Sequence, residues 1–193
     1  MDLILASTSP YRRALIERLG IPLRSVAPDV DEDAWKAQAG GIGPGDLAAR
    51  LALAKAASVA AIEPRATVIG GDQLAWFDGR VLGKPGTPEA AVDQLRAMAS
   101  RTHDLITAIA VIHGGKTYAH TNVTSLTLRP LTLAEIRRYV MADLPLDCAG
   151  SYKLEARGIA LFERIASDDH SAIVGVPLIA LTSILRGIGY AIP

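Results

Sequence analysis

Leu3-Ile4-Leu5-Ala6-Ser7-Thr8-Ser9-Pro10-Tyr11-Arg12-Arg13 decides the fold class, because it passes from a buried strand to a helix start within a few residues. The four apolar residues read as a strand. Ser9 then stands as N-cap and Pro10 at the first helical position. Ala14, Leu15, Ile16 and Leu19 continue at helical spacing until Gly20. A helix N-terminus offers unpaired N–H groups and a positive dipole end, which suit phosphate. The hydroxyls and guanidiniums beside it add donors, and Arg can grip phosphate oxygens with a planar fork. Taken alone, the same pattern describes a capped helix with two solvated arginines. It is not a P-loop, since no G-x-x-x-x-G-K-[ST] occurs in the chain.

Downstream, strands and helices alternate. Leu23 to Ala27 is a second strand candidate, leading into the acidic stretch Asp29-Val30-Asp31-Glu32-Asp33. Gly40 to Pro44 is a glycine-rich loop, and Asp46 to Ile62 an alanine-rich helix carrying Arg50 and Lys55. Thr67 to Asp72 reads as strand followed by loop, with a hairpin turn at Asp78-Gly79. Gly83-Lys84-Pro85 precedes a helix from Thr87 to Ala99, capped by Thr87. Asp104 to His113 and Lys116 to Arg129 form a long hairpin through Gly114-Gly115. Helices at Leu133 to Met141 and Pro177 to Gly187 close the chain. Alternation with an antiparallel central hairpin predicts an α/β domain with a mixed, twisted sheet flanked by helices. One domain over residues 1–193, in two lobes with a central cleft, is the expected organisation.

The 193 residues, half of them hydrophobic, suffice for a core without disulfides. The lone Cys148 excludes an internal disulfide and a four-cysteine zinc site, and fits a reducing compartment. It reads as a small buried thiol. Twenty basic and twenty acidic side chains leave no basic excess for a broad nucleic-acid interface. No apolar run approaches the roughly 20 residues of a membrane span, and the N-terminus has no secretory pattern. A cytoplasmic protein with a small anionic ligand is the expectation. The four histidines lack metal-ligand spacing, and neither G-x-S-x-G nor G-x-G-x-x-G is present.

Several charged residues are weak signals singly and coherent together. The acidic run containing Glu32 suits a hard divalent cation, though most such runs are solvated loops. Asp72 is expected at a strand end after two glycines, where a carboxylate holds metal or water or simply makes a turn. Lys84 sits before a stiffening proline, and Lys55 in a helix that tolerates lysine anywhere. A triphosphate carries about four negative charges and repels carboxylates unless cations intervene. Arg12, Lys55 and Lys84 would hold phosphate oxygens, while Glu32 and Asp72 would hold Mg²⁺ or Mn²⁺ and orient water.

The chain resembles the Maf-type nucleotide pyrophosphatases. The resemblance rests on residues 5–13, on Asp29-Val30-Asp31-Glu32, Gly71-Asp72-Gln73 and Leu82-Gly83-Lys84-Pro85, and on Ala149-Gly150-Ser151-Tyr152-Lys153-Leu154-Glu155 and Val174-Gly175-Val176-Pro177-Leu178. The ordered set spans nearly the whole chain. It implies a fold related to the inosine-triphosphate pyrophosphatases, and release of pyrophosphate from a nucleoside triphosphate with a divalent metal, Mg or Mn. It also implies a catalytic set of Ser7, Arg12, Glu32, Lys55, Asp72 and Lys84, with Asp72 as proton acceptor; the charge balance above makes Glu32 and Asp72 the metal ligands.

Three positions that tune substrate choice in the family map to Tyr11, Gln73 and Glu155. Members acting on dTTP and UTP usually carry Arg, Thr and Gln there. The set found here is similar to the subgroup that prefers 7-methyl-GTP. An aromatic ring can stack on the cationic purine, and a carboxylate can accept from guanine N1–H and its amine. Two departures concern Ser100-Arg101, where members usually have Ser-Gly, and Thr107-Ala108, where many have Thr-Gly. Both bear on the rim of the cleft. Alternatives are a pyrophosphatase for dTTP, UTP or other non-standard nucleotides and a non-catalytic nucleotide-binding regulator of cell division. Apolar C-terminal segments are compatible with a homodimer.

Overall fold

In the computed structural model, which describes residues 2–37 and 41–193, the opening run is strand β1 (Leu3–Ala6), buried throughout. Helix α1 (Pro10–Glu17) follows, with Ser9 Oγ accepting from Arg12 N and Pro10 in the first turn. A proline there loses no hydrogen bond, because the first N–H groups of a helix have no partner anyway. Strand β2 (Arg24–Val26) pairs in parallel with β1. The acidic stretch is not all loop. Asp31 Oδ1 accepts from Ala34 N at 3.0 Å, and α2 (Glu32–Ala37) begins there with Glu32 and Asp33 in its first turn. Acids at that end complement the helix dipole. Part of the expected glycine-rich loop, Gly40, lies outside the described residues.

Helix α3 (Pro44–Ala60) buries Leu47, Ala48, Leu51, Ala52, Ala56 and Val59. It starts two residues before the sequence expectation because Pro44 takes its first turn. Strand β3 (Thr67–Phe77) corrects another expectation: it does not stop at Asp72 but runs on for five residues. Burial of Leu74, Ala75 and Phe77, and antiparallel pairing with β4 (Arg80–Leu82), carry it forward. Asp72 therefore stands mid-strand. The β3–β4 turn uses Asp78 and Gly79, both at positive φ, as a tight hairpin with matching twist requires.

Helix α4 (Pro88–Met98) is capped by Thr87. Strands β5 (Thr102–His113) and β6 (Lys116–Leu128) flank Gly114 and Gly115. Helix α5 (Leu133–Asp143) opens with a capping box between Thr132 and Glu135. Strand β7 (Phe162–Ala166), antiparallel to β6, and helix α6 (Leu178–Gly187) follow, with short 3-10 turns at Arg157–Leu161 and His170–Val174. The sheet is mixed and seven-stranded, in the order β2-β1-β3-β5-β6-β7 with β4 on β3.

The chain divides into two compact units. The first comprises Met1–Gln73, Thr107–Asn122 and Asp169–Pro193; the second comprises Leu74–Ile106 and Val123–Asp168. In the first, Leu3, Leu5, Leu15, Ile16, Ile69, Ile109, Leu181 and Leu185 form one core. In the second, α4 packs on α5, and Leu95 and Met98 of α4 and Ile136 and Val140 of α5 are buried. Tyr152 meets Phe162 edge-on there, with ring centroids 4.9 Å apart. Among the described residues no helix is long and apolar enough to cross a membrane.

Candidate active site

Gly70 decides how the first unit builds its charged centre. A Cβ on it would lie 2.1 Å from Ala52 O and 2.6 Å from Ala56 N. Helix α3 thus crosses β3 in backbone contact, which only glycine permits. That crossing sets Lys55, from α3, against Asp72, from β3. Lys55 Nζ donates to Asp72 Oδ1 at 2.7 Å, with each side chain only 5% exposed. Glu32 Oε1, from the first turn of α2, is 2.7 Å from the same nitrogen. Asp72 Oδ2 is buried without a hydrogen-bond partner among the described residues. Burial pushes the Asp72 carboxyl up from its ordinary value, against the pull of Lys55 and Arg12, and Glu32 adds to the rise.

Arg12 comes from the first turn of α1. Its Nε donates to Gly175 O at 3.2 Å, and its Nη1 lies 3.5 Å from Ser7 Oγ. The side chain runs beside Gly71 and Gly175, whose added Cβ atoms would stand 3.5 Å and 3.4 Å from Arg12 Nε. Burial lowers the Arg12 pKa, and Asp72 and Glu32 oppose that fall. Ser7 Oγ also accepts from Ser9 N at 3.1 Å, which leaves its own proton to donate. The neighbouring Arg13 faces outward and pairs with Glu17 at 2.7 Å.

Ser7, Arg12, Glu32, Lys55 and Asp72 therefore belong to one unit, and three of them meet at a single ammonium. Tyr11 is half-buried on α1. The Gln73 side chain is engaged locally: Nε2 donates to Thr107 Oγ1 and Ala172 O at 2.9 Å each, and to Ile173 O at 3.1 Å. Lys84 and Glu155 are exposed residues of the second unit. The Lys84 loop is tied down by Gln94, a residue that sequence reasoning missed. Gln94 Nε2 donates to Gly83 O at 3.0 Å, and its Oε1 accepts from Ser151 Oγ at 2.6 Å. No sequence signal marks it beyond its place on the inner side of α4.

Cys148 is half-buried, and burial together with Asp147 pushes its thiol up to about 12. It stays protonated at neutral pH and is no nucleophile.

The Maf-like protein family model matches residues 2–188. The chain belongs to the Maf-like family. It is 51% identical over 185 residues to the 7-methyl-GTP pyrophosphatase of Bdellovibrio bacteriovorus, covering 96% of each chain. It is 50% identical over 191 residues to the protein of that name from Xanthomonas axonopodis pv. citri, covering 99% and 98%. A third such protein, from Bordetella avium, is 48% identical over 187 residues, covering 97% and 93%. Among solved structures, the Staphylococcus aureus Ham1 protein superposes with a TM-score of 0.56 at 14% identity, over 97% of this chain and 100% of that one. That likeness concerns the fold alone.

Proposed function

We propose that this Maf-like chain hydrolyses a nucleoside triphosphate, 7-methyl-GTP foremost, to the monophosphate and pyrophosphate, with residues 1–193 serving as one catalytic domain. The observation that carries the reading is the buried Lys55 ammonium shared by Asp72 and Glu32, with Arg12 beside the same strand. The names borne by relatives at about half identity, such as the Bdellovibrio protein at 51%, support the same activity.

Water attacks the α-phosphorus in line and pyrophosphate leaves. Asp72 accepts the water's proton through Oδ2, the oxygen not used by Lys55. A carboxyl whose pKa burial has raised is the stronger base for it. Lys55 holds Asp72 in place through Oδ1. Arg12, with Nε committed to Gly175, presents the outer end of its guanidinium to phosphate oxygens. Ser7 donates its hydroxyl proton, and Lys84 neutralises charge on the leaving pyrophosphate.

Glu32 and Asp72 fit a divalent cation, Mg²⁺ or Mn²⁺. Mg²⁺ usually takes one or two carboxylates together with substrate phosphates and water. Two carboxylates converge on Lys55 Nζ, and Asp72 has a buried oxygen without a hydrogen-bond partner among the described residues. Bound there, the cation supplies charge neutralisation on the phosphates and a more acidic water.

Tyr11 and Glu155 select the base, the ring by stacking on a cationic 7-methylguanine and the carboxylate by accepting from N1–H and the amine. Gln73 acts on that choice through the segment its amide holds. A substrate panel tests the reading: pyrophosphate release from 7-methyl-GTP, GTP, dTTP and UTP with Mg²⁺ or Mn²⁺. Preference for 7-methyl-GTP supports it, and preference for dTTP or UTP refutes the base assignment.

A further inference from the structure

The turn at residues 169–177 is fastened from several directions. At its start, Asp169 Oδ1 accepts from the backbone N and the hydroxyl of Ser171, and Oδ2 accepts from Ile179 N. At its end, Ser171 Oγ accepts from Leu178 N at 2.9 Å. In its middle, the Ala172 carbonyl accepts from both Gln73 Nε2 and Thr107 Oγ1, at 2.9 and 2.8 Å. The side chains of Thr107, Asp169 and Ser171 are buried. From this turn, the carbonyl of Gly175 accepts from Arg12 Nε at 3.2 Å. Gly175 has φ +127, and a Cβ there would press on Arg12 Cγ at 3.2 Å. These bonds hold the backbone of the segment that carries the Gly175 carbonyl, the acceptor for Arg12 Nε.

We infer that Gln73, Thr107, Asp169 and Ser171 are positioning residues which hold the 169–177 turn as a clamp on Arg12. The inference rests on the proposed role of Arg12 at phosphate. With Nε pinned, the guanidinium loses rotational freedom and its outer nitrogens point one way. A catalytic group displaced by about 1 Å can cost about 100-fold in rate. The clamp also gives Gln73 a second purpose, since its amide nitrogen faces Ala172 O and Ile173 O of the turn as well as Thr107 Oγ1.

Kinetics of purified full-length variants test this. Ser171→Ala removes the link to Leu178 and one link to Asp169. Thr107→Val removes a buried hydroxyl at nearly constant volume, and Thr107→Ser restores it. The clamp predicts a fall in kcat of about tenfold for Ser171→Ala and a smaller fall for Thr107→Val. It predicts recovery in Thr107→Ser and little change in KM, because the lost interaction belongs to the transition state. In an Arg12→Ala background the same substitutions should add almost nothing. Full kcat in Ser171→Ala, or equal losses with and without Arg12, would overturn the clamp while leaving the pyrophosphatase reading intact. An Arg12→Ala variant with undiminished kcat overturns the reading of Arg12 itself, and the clamp with it.

Discussion

Lys55 Nζ lies 2.7 Å from Asp72 Oδ1, and both side chains are only 5% exposed. The partners are not equivalent. Lys55 has a second carboxylate in Glu32, also at 2.7 Å, whereas Asp72 is held by Lys55 through one oxygen while the other has no hydrogen-bond partner among the described residues. Removing one member of a buried ion pair costs about 3–5 kcal/mol when the other is left uncompensated.

Lys55→Met should therefore unfold at clearly lower denaturant concentration, whereas Asp72→Asn should lose much less stability because Glu32 still compensates Lys55. Both should lose about 100-fold or more in turnover. Urea titrations beside rate measurements check the pair. Greater destabilisation by Asp72→Asn would contradict this account of the ion pair.

Gly70→Ala inserts a methyl group 2.1 Å from Ala52 O. Helix α3 must then move off β3, carrying Lys55 away from Asp72. Overpacking of this kind costs about 1–3 kcal/mol, and activity should fall although no charged residue has changed. Thermal unfolding and pyrophosphate release report the two effects, and a variant with wild-type values of both would show that the close crossing is dispensable.

His103 governs a separate, acid-side loss of stability. Its Nε2 meets Tyr152 OH at 2.9 Å, while its Nδ1 is buried without a partner among the described residues. Burial pushes its pKa from 6.5 down to about 4, with Asp104 opposing weakly. The unfolded chain binds the proton first as pH falls. The stability contributed is therefore whole above pH 6.5 and is lost as pH drops through about 4. Urea midpoints across that window should fall more steeply for the wild type than for His103→Gln. Parallel slopes would refute the assignment.

Gln94 should matter to catalysis although it touches no phosphate. Gln94→Leu frees Gly83 O and Ser151 Oγ together, loosening the backbone on which Lys84 sits. A loss of about tenfold in kcat is expected, with circular dichroism unchanged. Full activity in Gln94→Leu would separate the Lys84 loop from the reaction.

Local chemistry made much of the fold legible in advance. Ser9-Pro10 and Thr87-Pro88 announce helix starts, and Asp78-Gly79 and Gly114-Gly115 announce turns, because each acts within its own few residues. The continuation of β3 past Asp72 was hidden, since Gly-Gly-Asp-Gln resembles a turn and the pairing with β4 that keeps it extended lies further along the chain. Helix α2 was hidden because acids at a helix start look like acids in a solvated loop. The charged residues of the site were visible individually as weak signals. Charge balance against a triphosphate grouped them as an expectation, and the family resemblance gave the same set. Their contacts were hidden, as Lys55 and Asp72 are 17 positions apart and Arg12 meets a carbonyl 163 positions away. The supporting hydrogen bonds of Gln94 and Thr107 join residues far apart along the chain, and only the folded chain displays them.

The most direct test compares wild type and Asp72→Asn for pyrophosphate release from 7-methyl-GTP in the presence of Mg²⁺ or Mn²⁺, with GTP, dTTP and UTP alongside. The account predicts that the wild type releases pyrophosphate and monophosphate, fastest from 7-methyl-GTP, and that Asp72→Asn is slower by about 100-fold or more. Wild-type rates in Asp72→Asn, or no pyrophosphate from any of the four nucleotides, would contradict it.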